Sequence, residues 1–402
     1  MANYWRERGT LNGDADSVEF GTVVATNTHI AVGDRFALYV KVYDAAYNFL
    51  LRIDEPDSCT NCDFGRKMAI NSTHIYISSS FGSYGTLYVY TVAGVLVRSI
   101  PGIVTYEMTG NIACNDSLFV PQNNAPDPGS IDVYNADGSA VLASIQKEAS
   151  ADGTWFGYAV AVSDNYVFIA SDDTVYGNVM AGRLYAYAIS DYLLKYTLNG
   201  SAAYGFYADR ISAKGDTLVL RDASVNPNVR VFKESGAYIG GLNDSTADSI
   251  IVSDDTFAIY DTYNYSRLSI FSLAGTLIDI IPDDRISTSA YPQSIAICDS
   301  NILRGHPSID NVMYFNKEEF FDFNIAHGVF GVQYPFDIAY AVSPGVQQFD
   351  FIISYEAGSQ VLAHSFSFRY EIASLSRMEK FGIRYEIEPD VPHKALVIKR
   401  VL

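Results

Sequence analysis

The chain has 402 residues and a formal net charge of −19, from 46 acidic and 27 basic side chains. Hydrophobic residues make up 49% and aromatic residues 14% of it, which excludes an intrinsically disordered chain because such chains lack the apolar residues for a core. The acidic balance excludes a protein that binds nucleic acid through phosphate contacts. No apolar run of about 18 residues is present, so the sequence predicts no membrane insertion.

The N-terminus and the cysteines give little sign of export or of metal binding. Residues 1–8 contain no basic segment followed by an apolar core, so no secretory signal is predicted. Cys59 and Cys62 form an isolated C-x-x-C pair without a second ligand pair, and a loop pair, bridged or not, is favoured over a zinc site. Cys114 and Cys298 lie in strand-like segments and are predicted to be small buried apolar residues.

The first three quarters of the chain contain a repeat of about 45 residues. An apolar residue of a second predicted strand recurs at Ile30, Ile75, Leu118, Val167, Leu218, Phe257 and Ile302. A third predicted strand ends in an aromatic residue at Tyr43, Tyr90, Tyr134, Tyr187, Phe232, Phe271 and Phe315. Both series give seven copies, and four short strands per copy are typical of β-propeller blades. The sequence therefore predicts an all-β, seven-bladed β-propeller with four-stranded blades over residues 1–319.

The two ends of this repeat region predict how the ring closes. Six repeats end in a fourth strand, at Phe49–Ile53, Val95–Ile100, Ala140–Ile145, Tyr192–Leu198, Ala237–Leu242 and Thr276–Ile281. The seventh repeat lacks one, whereas Tyr4–Gly13 parallels Tyr192–Gly200 in its aromatic start and its Thr-Leu-Asn-Gly end. We expect the N-terminal strand to complete the last blade, which removes an exposed edge. In the alternative, Phe320–Ile325 supply that strand and the N-terminus is an arm.

Three repeats begin with Phe-Gly, and the best preserved copy runs from Phe156 to Ala170 and continues at Ala181–Tyr187. These starts resemble the FG-GAP repeats of integrin-α-like propellers. The resemblance implies the propeller fold over about three quarters of the chain. The calcium loop of that family, with alternating Asp residues, is missing here, so the resemblance implies neither a metal nor a ligand.

After residue 319 the period changes to 15 residues. The evenly spaced aromatic residues are Phe321, Phe336, Phe351, Phe366 and Phe381, and Tyr340, Tyr355, Tyr370 and Tyr385. Turn formers follow at Pro344-Gly345, Gly358, Ser374 and Pro389. Alternation within a unit and one turn between units predict successive strands. Residues 320–402 are therefore predicted to form a C-terminal β-strand repeat module for attachment or oligomerisation.

Two builds fit this C-terminal module. One is an antiparallel meander in which the Phe and Tyr rows are aligned across the strands. The other resembles the triple β-spiral of viral fibre shafts and needs three chains, which makes a homotrimer an alternative. The meander is favoured because the tight glycine pattern of the spiral is not kept. The short aromatic repeats also resemble C-terminal modules of tailed-phage structural proteins.

The net charge divides unevenly between the two regions. Residues 361–402 carry a net charge of +2 and residues 1–360 carry −21. An acidic propeller with a near-neutral tail fits a display head and a docking foot, although such surfaces commonly serve solubility.

The sequence gives no catalytic signature. A Gly-x-Ser-x-Gly nucleophile elbow is absent, no glycine-rich phosphate loop is present, and none of the six histidines pairs with another at metal-ligand spacing. A propeller fold hosts enzymes and binders alike. The sequence therefore predicts a non-enzymatic protein without catalytic residues, metal or cofactor.

The predicted loops between second and third strands are rich in Tyr, Ser, Gly and Asn. In a propeller these loops emerge on one face, and this mixture of residues is typical of antibody paratopes because Tyr offers a large contact at low entropic cost. The predicted ligand-binding residues are Phe81, Tyr84, Tyr176, Tyr263 and Tyr265. The alternative, that these are ordinary turn-rich loops, carries about equal weight.

Together these patterns predict a structural protein of a tailed-phage virion, in the tail, baseplate or fibre. The propeller would bind a glycan or a protein of the host surface, and the C-terminal module would contact other virion proteins. Such a protein is assembled in the host cytoplasm and becomes extracellular on release. The alternative is a bacterial surface or secreted carbohydrate-binding propeller, and a glycan-cleaving enzyme is less favoured.

Overall fold

The computed structural model of the chain is all-β. It describes residues 3–14, 20–34, 36–56, 63–81, 84–103, 112–122, 129–147, 156–171, 181–200, 208, 210–222, 227–244, 247–261, 267–282, 294–298, 301–306, 311–319, 327–329, 332–334, 345–357 and 360–372. No helix occurs among these residues, so none of them forms an apolar helix long enough to cross a membrane.

Seven four-stranded antiparallel sheets form the blades. Blade 1 contains β2 (Phe20–Ala25), β3 (His29–Asp34), β4 (Tyr39–Asp44) and β5 (Phe49–Asp54). Blade 2 contains β6 (Met68–Ile70), β7 (His74–Phe81), β8 (Tyr84–Thr91) and β9 (Leu96–Ile103). Blade 3 contains β10 (Ala113–Cys114), β11 (Ser117–Gln122), β12 (Ser130–Asn135) and β13 (Val141–Gln146).

The remaining blades follow the same order along the chain. Blade 4 contains β14 (Val160–Val162), β15 (Tyr166–Ser171), β16 (Arg183–Ala188) and β17 (Leu194–Asn199). Blade 5 contains β18 (Ile211–Lys214), β19 (Thr217–Arg221), β20 (Val229–Lys233) and β21 (Tyr238–Leu242). Blade 6 contains β22 (Ala247–Val252), β23 (Thr256–Asp261), β24 (Arg267–Ser272) and β25 (Leu277–Pro282). Blade 7 contains β26 (Ile295–Cys298), β27 (Asn301–His306), β28 (Asn311–Glu319) and β1 (Asn3–Asn12).

The ring is closed by strands from both ends of the propeller. Each blade's first strand packs against that of the next blade, and β26 of blade 7 packs against β2 of blade 1. The strand order β1-β28-β27-β26 confirms that the N-terminal strand completes the last blade. The alternative that Phe320–Ile325 supply this strand is wrong, because β1 takes the outer position beside β28.

The two repeat series predicted from the sequence meet as cross-strand pairs. Each apolar residue of a second strand lies directly opposite the aromatic residue of the third strand. The pairs are Ile30–Tyr43, Ile75–Tyr90, Leu118–Tyr134, Val167–Tyr187, Leu218–Phe232, Phe257–Phe271 and Ile302–Phe315. All fourteen residues are buried, so each pair is part of the packing between sheets.

The same aromatic residue marks an irregularity in the blade. In blades 1 to 6 the register between the third and fourth strands shifts by one residue at this aromatic position, as at Tyr43 and Tyr90. A bulge increases the local twist of a strand. The repeated bulge therefore lies at the equivalent position beside the outer strand in each of these six blades.

The Phe-Gly starts are contacts between blades. Phe20, Phe64 and Phe156 are fully buried. The glycine that follows Phe64 has a φ of +83°, and its backbone lies against Gly33 of blade 1 so closely that a Cβ atom on Gly33 would overlap the Gly65 carbonyl. A glycine is needed at such a site because any side chain would occupy the space of the neighbouring backbone.

Ionic contacts hold the end of β1 to blade 1. The Asp14 carboxylate binds Lys41 Nζ at 2.5 Å and also binds the Arg52 guanidinium. The Asp14 amide donates a hydrogen bond of 2.9 Å to the Tyr39 hydroxyl. The hydrogen bond from Lys41 is the main cause that lowers the pKa of the Asp14 carboxyl. Blade 1 thus holds the segment that follows the closing strand.

A serine joins the first strands of blades 7 and 1. The Val23 amide donates a hydrogen bond of 2.6 Å to Ser294 Oγ, and Ser294 Oγ donates one of 2.9 Å to the Gly21 carbonyl. The rings of Tyr47 and Tyr314, from the same two blades, stack at 3.7 Å between centroids. The closing seam therefore has hydrogen bonds and stacking in addition to the ionic contacts at Asp14.

Cys298 is buried as the sequence predicts, whereas Cys114 is only partly buried. Cys298 is fully buried in the core between blades 7 and 1. Cys114 packs against the core between blades 2 and 3, and burial raises the pKa of its thiol to about 12. Both are free thiols, and the high pKa leaves Cys114 protonated at neutral pH. Cys59 and Cys62 lie outside the described residues.

The second compact unit comprises residues 318–402 with Met1–Ala2, whereas the propeller is the unit Asn3–Lys317. The second unit contains β29 (His327–Val329) paired with β30 (Val332–Tyr334), and β31 (Gly345–Ala357) paired with β32 (Gln360–Ile372). Both pairs are antiparallel hairpins within one chain, as in the predicted meander. The intertwined trimer stays an alternative prediction for this region.

The register of β31 and β32 corrects one detail of the meander. Phe351 lies opposite Phe366, as predicted, but Tyr355 lies opposite Leu362 and Tyr370 opposite Gln347. The predicted alignment of the Tyr row is therefore wrong for this pair. In an antiparallel hairpin the residue numbers of one strand rise while those of its partner fall. Two residues 15 positions apart can therefore face each other at only one place in the pair, and here that place is Phe351 and Phe366.

Candidate binding face

Antiparallel order places the connections of each blade on two opposite faces of the propeller. We call the first the short-turn face. It carries the connections from first to second and from third to fourth strands, at 26–28, 45–48, 71–73, 92–95, 115–116, 136–140, 163–165, 189–193, 215–216, 234–237, 253–255, 273–276 and 299–300.

The opposite face, which we call the long-loop face, carries the connections from second to third strands and from each fourth strand to the next blade. These are 13–19, 35–38, 55–67, 82–83, 104–112, 123–129, 147–159, 172–182, 200–210, 222–228, 243–246, 262–266, 283–294 and 307–310. Their lengths vary from two residues at 82–83 to thirteen at 55–67 and 147–159. The long-loop face is thus where the blades differ from one another.

The first-to-second turns of the short-turn face are closed by their own side chains. A polar side chain at the start of the turn accepts a hydrogen bond from the backbone amide of the residue that begins the second strand. The bonds are Thr26–His29 at 3.1 Å, Asn71–His74 at 2.7 Å, Asn115–Ser117 at 2.8 Å, Ser163–Tyr166 at 3.1 Å and Ser253–Thr256 at 3.2 Å. Side chains of this kind stabilise turns by replacing a backbone hydrogen bond. Their polar atoms are thus used within the turn or in a bond to the next blade, as between Asn71 Nδ2 and the Asn115 carbonyl at 2.9 Å.

Two of these turns carry the histidines that occupy the same repeat position. The Nδ1 atoms of His29 and His74 lie 2.9 and 2.8 Å from the hydroxyls of Thr28 and Thr73. The two pairs sit in neighbouring blades, each inside its own turn. Among the residues that the structure describes, no group of three or more His, Cys, Asp or Glu side chains could hold a metal ion.

The third-to-fourth turns also use their polar groups, either within the turn or with a neighbouring one, as Glu234 does when it accepts a hydrogen bond of 2.9 Å from Ser163 Oγ of blade 4. Asp44 accepts hydrogen bonds from the amides of Ala46 and Asn48 at 2.9 and 2.8 Å, and the hydrogen bond from the Asn48 side chain is the main cause that lowers the pKa of Asp44. Asp191 binds Lys195 Nζ at 2.7 Å, and this bond lowers the pKa of Asp191. These carboxylates are turn-stabilising groups, which leaves the short-turn face with little to offer a ligand.

Aromatic content separates the two faces. In sequence, the connections of the long-loop face contain thirteen Phe, Tyr and Trp among 109 residues, whereas those of the short-turn face contain two, Tyr47 and Tyr192, among 44. Two of the thirteen, Phe64 and Phe156, are core residues. Both sets of connections contain more acidic than basic residues, so aromatic content and not charge marks the long-loop face as the one suited to binding.

Blade 2 extends its second and third strands on the long-loop face. Strands β7 and β8 have eight residues each, whereas β3 and β4 of blade 1 have six. Both second strands begin at the equivalent histidine, so the two extra residues lie at the long-loop end. At about 3.3 Å per residue the hairpin extends roughly 7 Å further.

The predicted binding residues lie partly on this hairpin. Phe81 ends β7 and Tyr84 begins β8, and the two are directly opposite across residues 82–83. The structure thus brings Phe81 and Tyr84 together at the tip. Tyr176, Tyr263 and Tyr265 lie outside the described residues, so their roles stay predictions.

A polar cluster that the sequence reasoning missed lies at the base of this hairpin. Arg66 binds Asp63 at 2.6 Å, and Ser79 Oγ donates a hydrogen bond of 3.3 Å to Glu55. Burial, followed by the nearby Arg66 charge, lowers the pKa of Lys67 to about 8. The signal in the sequence was Arg66-Lys67 directly after a Phe-Gly start, two basic residues in a chain where acidic ones dominate.

This cluster anchors the hairpin to the preceding connection. The Lys67 carbonyl accepts hydrogen bonds from the Ser78 amide at 3.0 Å and the Ser78 hydroxyl at 3.1 Å. The Gly65 amide donates to the Ser78 carbonyl at 3.2 Å. The described part of the long-loop face therefore combines an extended hairpin, whose strands end at Phe81 and Tyr84, with hydrogen-bonding groups of both charges at its base. Such an arrangement can bind a polar ligand that has an apolar face.

Comparison with known proteins supports the architecture. No protein-family model matches the chain, and no curated protein matches it in sequence. The Pan2 WD40 domain of Neurospora crassa is 11% identical, with a TM-score of 0.51, over 78% of this chain and 95% of that one. Virginiamycin B lyase of Staphylococcus aureus is 10% identical, with a TM-score of 0.56, over 78% of this chain and 99% of that one.

Identities of this size show a shared fold and no more. The two neighbours are described respectively as a WD40 domain and a lyase, so the same architecture is found in proteins of different kinds. Together with the seven four-stranded sheets and the closed ring, they confirm that this chain contains a seven-bladed β-propeller.

Proposed function

We propose that this protein is a non-enzymatic structural component of a tailed-phage virion that binds a host-surface glycan or protein through the long-loop face of its propeller. Residues 320–402 attach it to other virion proteins or oligomerise it. It is assembled in the host cytoplasm and becomes extracellular on release. The propeller acts as a rigid ring that presents variable loops, without metal, cofactor or catalytic residue.

The difference between the two faces carries this proposal. Turns of the short-turn face are short and hydrogen-bonded within themselves, whereas connections of the long-loop face are longer, more varied and richer in aromatic residues. Phe81 and Tyr84 flank the connection 82–83 of that surface at the end of the blade 2 hairpin. Rigid aromatic side chains on loops bind large surfaces at low entropic cost.

Placement in a virion is supported by the resemblance of the 15-residue aromatic repeats to modules of tailed-phage structural proteins. Mass spectrometry of purified phage particles whose genome encodes this chain tests that placement. Detection of the chain at a stoichiometry typical of tail components is the expected result. Its absence from particles, together with its presence on bacterial surfaces, would favour a carbohydrate-binding propeller of the bacterium itself.

Binding is tested with the full chain on an array of bacterial surface glycans. The variant in which Phe81, Tyr84, Tyr176, Tyr263 and Tyr265 are all changed to Ala is expected not to bind the glycans that the wild-type chain binds on the array. Tyr238→Ala is the matched control, since Tyr238 is an exposed aromatic residue on the outer strand β21. Unchanged binding by the fivefold variant would refute the proposed face, and cleavage products on the array would show an enzyme.

A further inference from the structure

The outermost strand of each blade is an edge of its sheet. These strands are β5, β9, β13, β17, β21, β25 and β1. An edge strand can pair with a strand of another molecule, and proteins usually prevent this with charged residues or proline on the edge. The seven outer strands can therefore be compared for the presence of such protection.

Five outer strands carry charged residues, and two of these also contain proline. The protecting residues are Arg52 and Asp54 on β5, Arg98 and Pro101 on β9, Lys195 on β17, Asp279 and Pro282 on β25, and Glu7 and Arg8 on β1. Strands β13, with the sequence VLASIQ, and β21, with the sequence YIGGL, contain neither a charged residue nor a proline. In β21 two of the five residues are glycines, which weaken strand pairing.

Of these two unprotected strands, β13 is the longer, with six residues against five in β21, and it contains no glycine. Its first two residues, Val141 and Leu142, are 55% and 51% exposed. Further along, Ile145 is buried and anchors the strand to the core between blades 3 and 4. One end of the strand is therefore fixed by packing while the other presents apolar side chains to solvent.

We propose that β13 is a self-association surface, at which two copies of this chain pair their β13 strands antiparallel about a two-fold axis. With the axis between Ala143 and Ser144, Val141 lies opposite Gln146 of the copy and Leu142 lies opposite Ile145 of the copy. The two sheets then form one eight-stranded sheet across the interface. Such strand addition supplies main-chain hydrogen bonds and covers exposed apolar residues.

The chemistry of the strand selects a second copy as the occupant. A basic foreign partner would be recognised through acidic groups, and β13 has none. A second β13 supplies an uncharged apolar edge of the same length, and no like charges come to lie opposite each other. The net charge of −19 per chain opposes association at long range, but this repulsion is screened beyond about 8 Å at physiological salt.

The pairing of two six-residue strands covers less than the roughly 1,600 Å² of a standard interface. The dimer is therefore expected to be weak and to form as the protein concentration rises. Sedimentation equilibrium of the full chain, from low micromolar to several hundred micromolar, is expected to show a species of twice the basal mass. Higher salt is expected to strengthen this association, since both copies carry the same net charge.

The test uses a lysine in place of an exposed apolar residue on the edge. Val141→Lys is expected to weaken the association at least about tenfold, because it puts a charge on the uncharged edge and removes an apolar contact. Tyr238→Lys on β21 is the matched control, since Tyr238 is also 55% exposed on an outer strand, and it is expected to leave the association unchanged. An unaltered thermal unfolding curve establishes that each variant is folded.

Three outcomes would overturn the proposal. The first is a wild-type chain whose mass never doubles over this concentration range. The second is equal loss of association in both lysine variants, or its persistence in Val141→Lys. The third is association that weakens as salt is raised, because ion pairs and not an uncharged edge would then hold the copies together.

Discussion

Gly33 and Gly305 are the penultimate residues of β3 and β27, where each strand passes the start of the next blade. A Cβ atom on Gly33 would overlap the Gly65 carbonyl, and one on Gly305 would overlap the Gly21 carbonyl. Both members of each contact are backbone atoms, which cannot rotate away as a side chain can. At these two contacts the distance between the blades is therefore limited by a glycine on one side and by the Phe-Gly start on the other.

We expect Gly33→Ala to lower the free energy of unfolding by about 3 kcal/mol, since the added methyl group forces two blades apart. Urea denaturation followed by circular dichroism measures this change. Gly215→Ala is the control, because Gly215 has a φ of +54° but open space around it, and a cost of only about 1 kcal/mol is expected from the backbone conformation. Equal effects of the two variants would show that the contact between blades is not the cause.

The ionic contacts of Asp14 make closure of the ring dependent on pH. The folded-state pKa of Asp14 lies below the ordinary value of 3.8, so its contribution to stability is present above that value. The contribution is lost as the pH falls through the folded-state pKa, where the carboxylate takes up a proton. The Asp14 side chain is about one third exposed, which reduces the strength of its ion pairs through solvent screening.

We expect Asp14→Asn to lower the free energy of unfolding by about 1–2 kcal/mol at neutral pH. The difference from the wild type should shrink as the pH falls below about 4 and through the lower folded-state pKa of Asp14, where the wild-type carboxylate takes up a proton. Denaturant unfolding at several pH values measures it. Asp54→Asn, which alters a more exposed carboxylate paired with Arg52, is expected to change stability by less than about 0.5 kcal/mol. A deficit of Asp14→Asn that is the same at pH 7 and pH 3 would contradict this account.

At the scale of the strand, β1 has the largest separation in sequence from its partner. It forms the outer strand of blade 7 beside β28, which begins at Asn311. Without β1, β28 would become an open edge and the contacts of Asp14 with blade 1 would be lost. Closure of the last blade thus depends on a strand from the other end of the propeller.

Deletion of residues 1–13 is expected to abolish the cooperative unfolding transition or to lower its midpoint by more than 10 °C, which is about 3 kcal/mol or more for a domain of this size. A synthetic peptide of residues 1–13, added in excess, should restore the transition, whereas a peptide of the same composition in scrambled order should not. Calorimetry measures both results. A deletion variant that unfolds like the wild type would show that blade 7 is complete without β1.

The strand pattern could be predicted from the sequence because each repeat carries a buried cross-strand pair. The pair Ile30–Tyr43 recurs as an apolar residue and an aromatic residue in every blade, since the space between two sheets has the same thickness around the ring. The Phe-Gly start is less regular. In blade 5, Ala208 occupies the corresponding place with a φ of +61° and full burial, so the motif is lost from the sequence while the backbone conformation is kept.

The candidate binding site could be predicted only as a face. The packing of the strands repeats from blade to blade. The connections 82–83 and 172–182, in contrast, share neither length nor composition, because surface loops do not have to fit between two sheets. Phe81 and Tyr84 were predicted from the Tyr, Ser and Gly content of the sequence around them, and the structure places the two residues opposite each other at the ends of β7 and β8. The salt bridge of Arg66 with Asp63 was missed, because a pair within one loop has no periodic signal.

At the scale of the whole molecule, the contacts divide the chain near Lys317. The closed ring of blades contains its own cores between neighbouring sheets. A domain with its own core can fold alone. The propeller is therefore expected to need nothing from the following residues for its stability.

A chain that ends at residue 326 is expected to unfold at the same urea concentration as the propeller transition of the full chain, within about 0.3 M. Denaturation of both proteins, followed by tryptophan fluorescence, measures this. A shorter chain, ending at residue 305, is the control and should fail to fold because it lacks β28. A propeller transition that moves by more than this margin in the 326-residue chain would show that the later repeats support the ring.

The pairing of β1 with β28 also imposes an order on biosynthesis. The ribosome makes residues 3–12 first and residues 311–319 about 300 residues later, so at ~5–20 residues per second roughly 15 to 60 s separate the two strands. Six blades can assemble on the emerging polypeptide during this interval, but the seventh must wait. During this interval residues 3–12 lack their partner β28. We expect the charged run Arg6-Glu7-Arg8 within them to disfavour pairing with the edge strands of other chains.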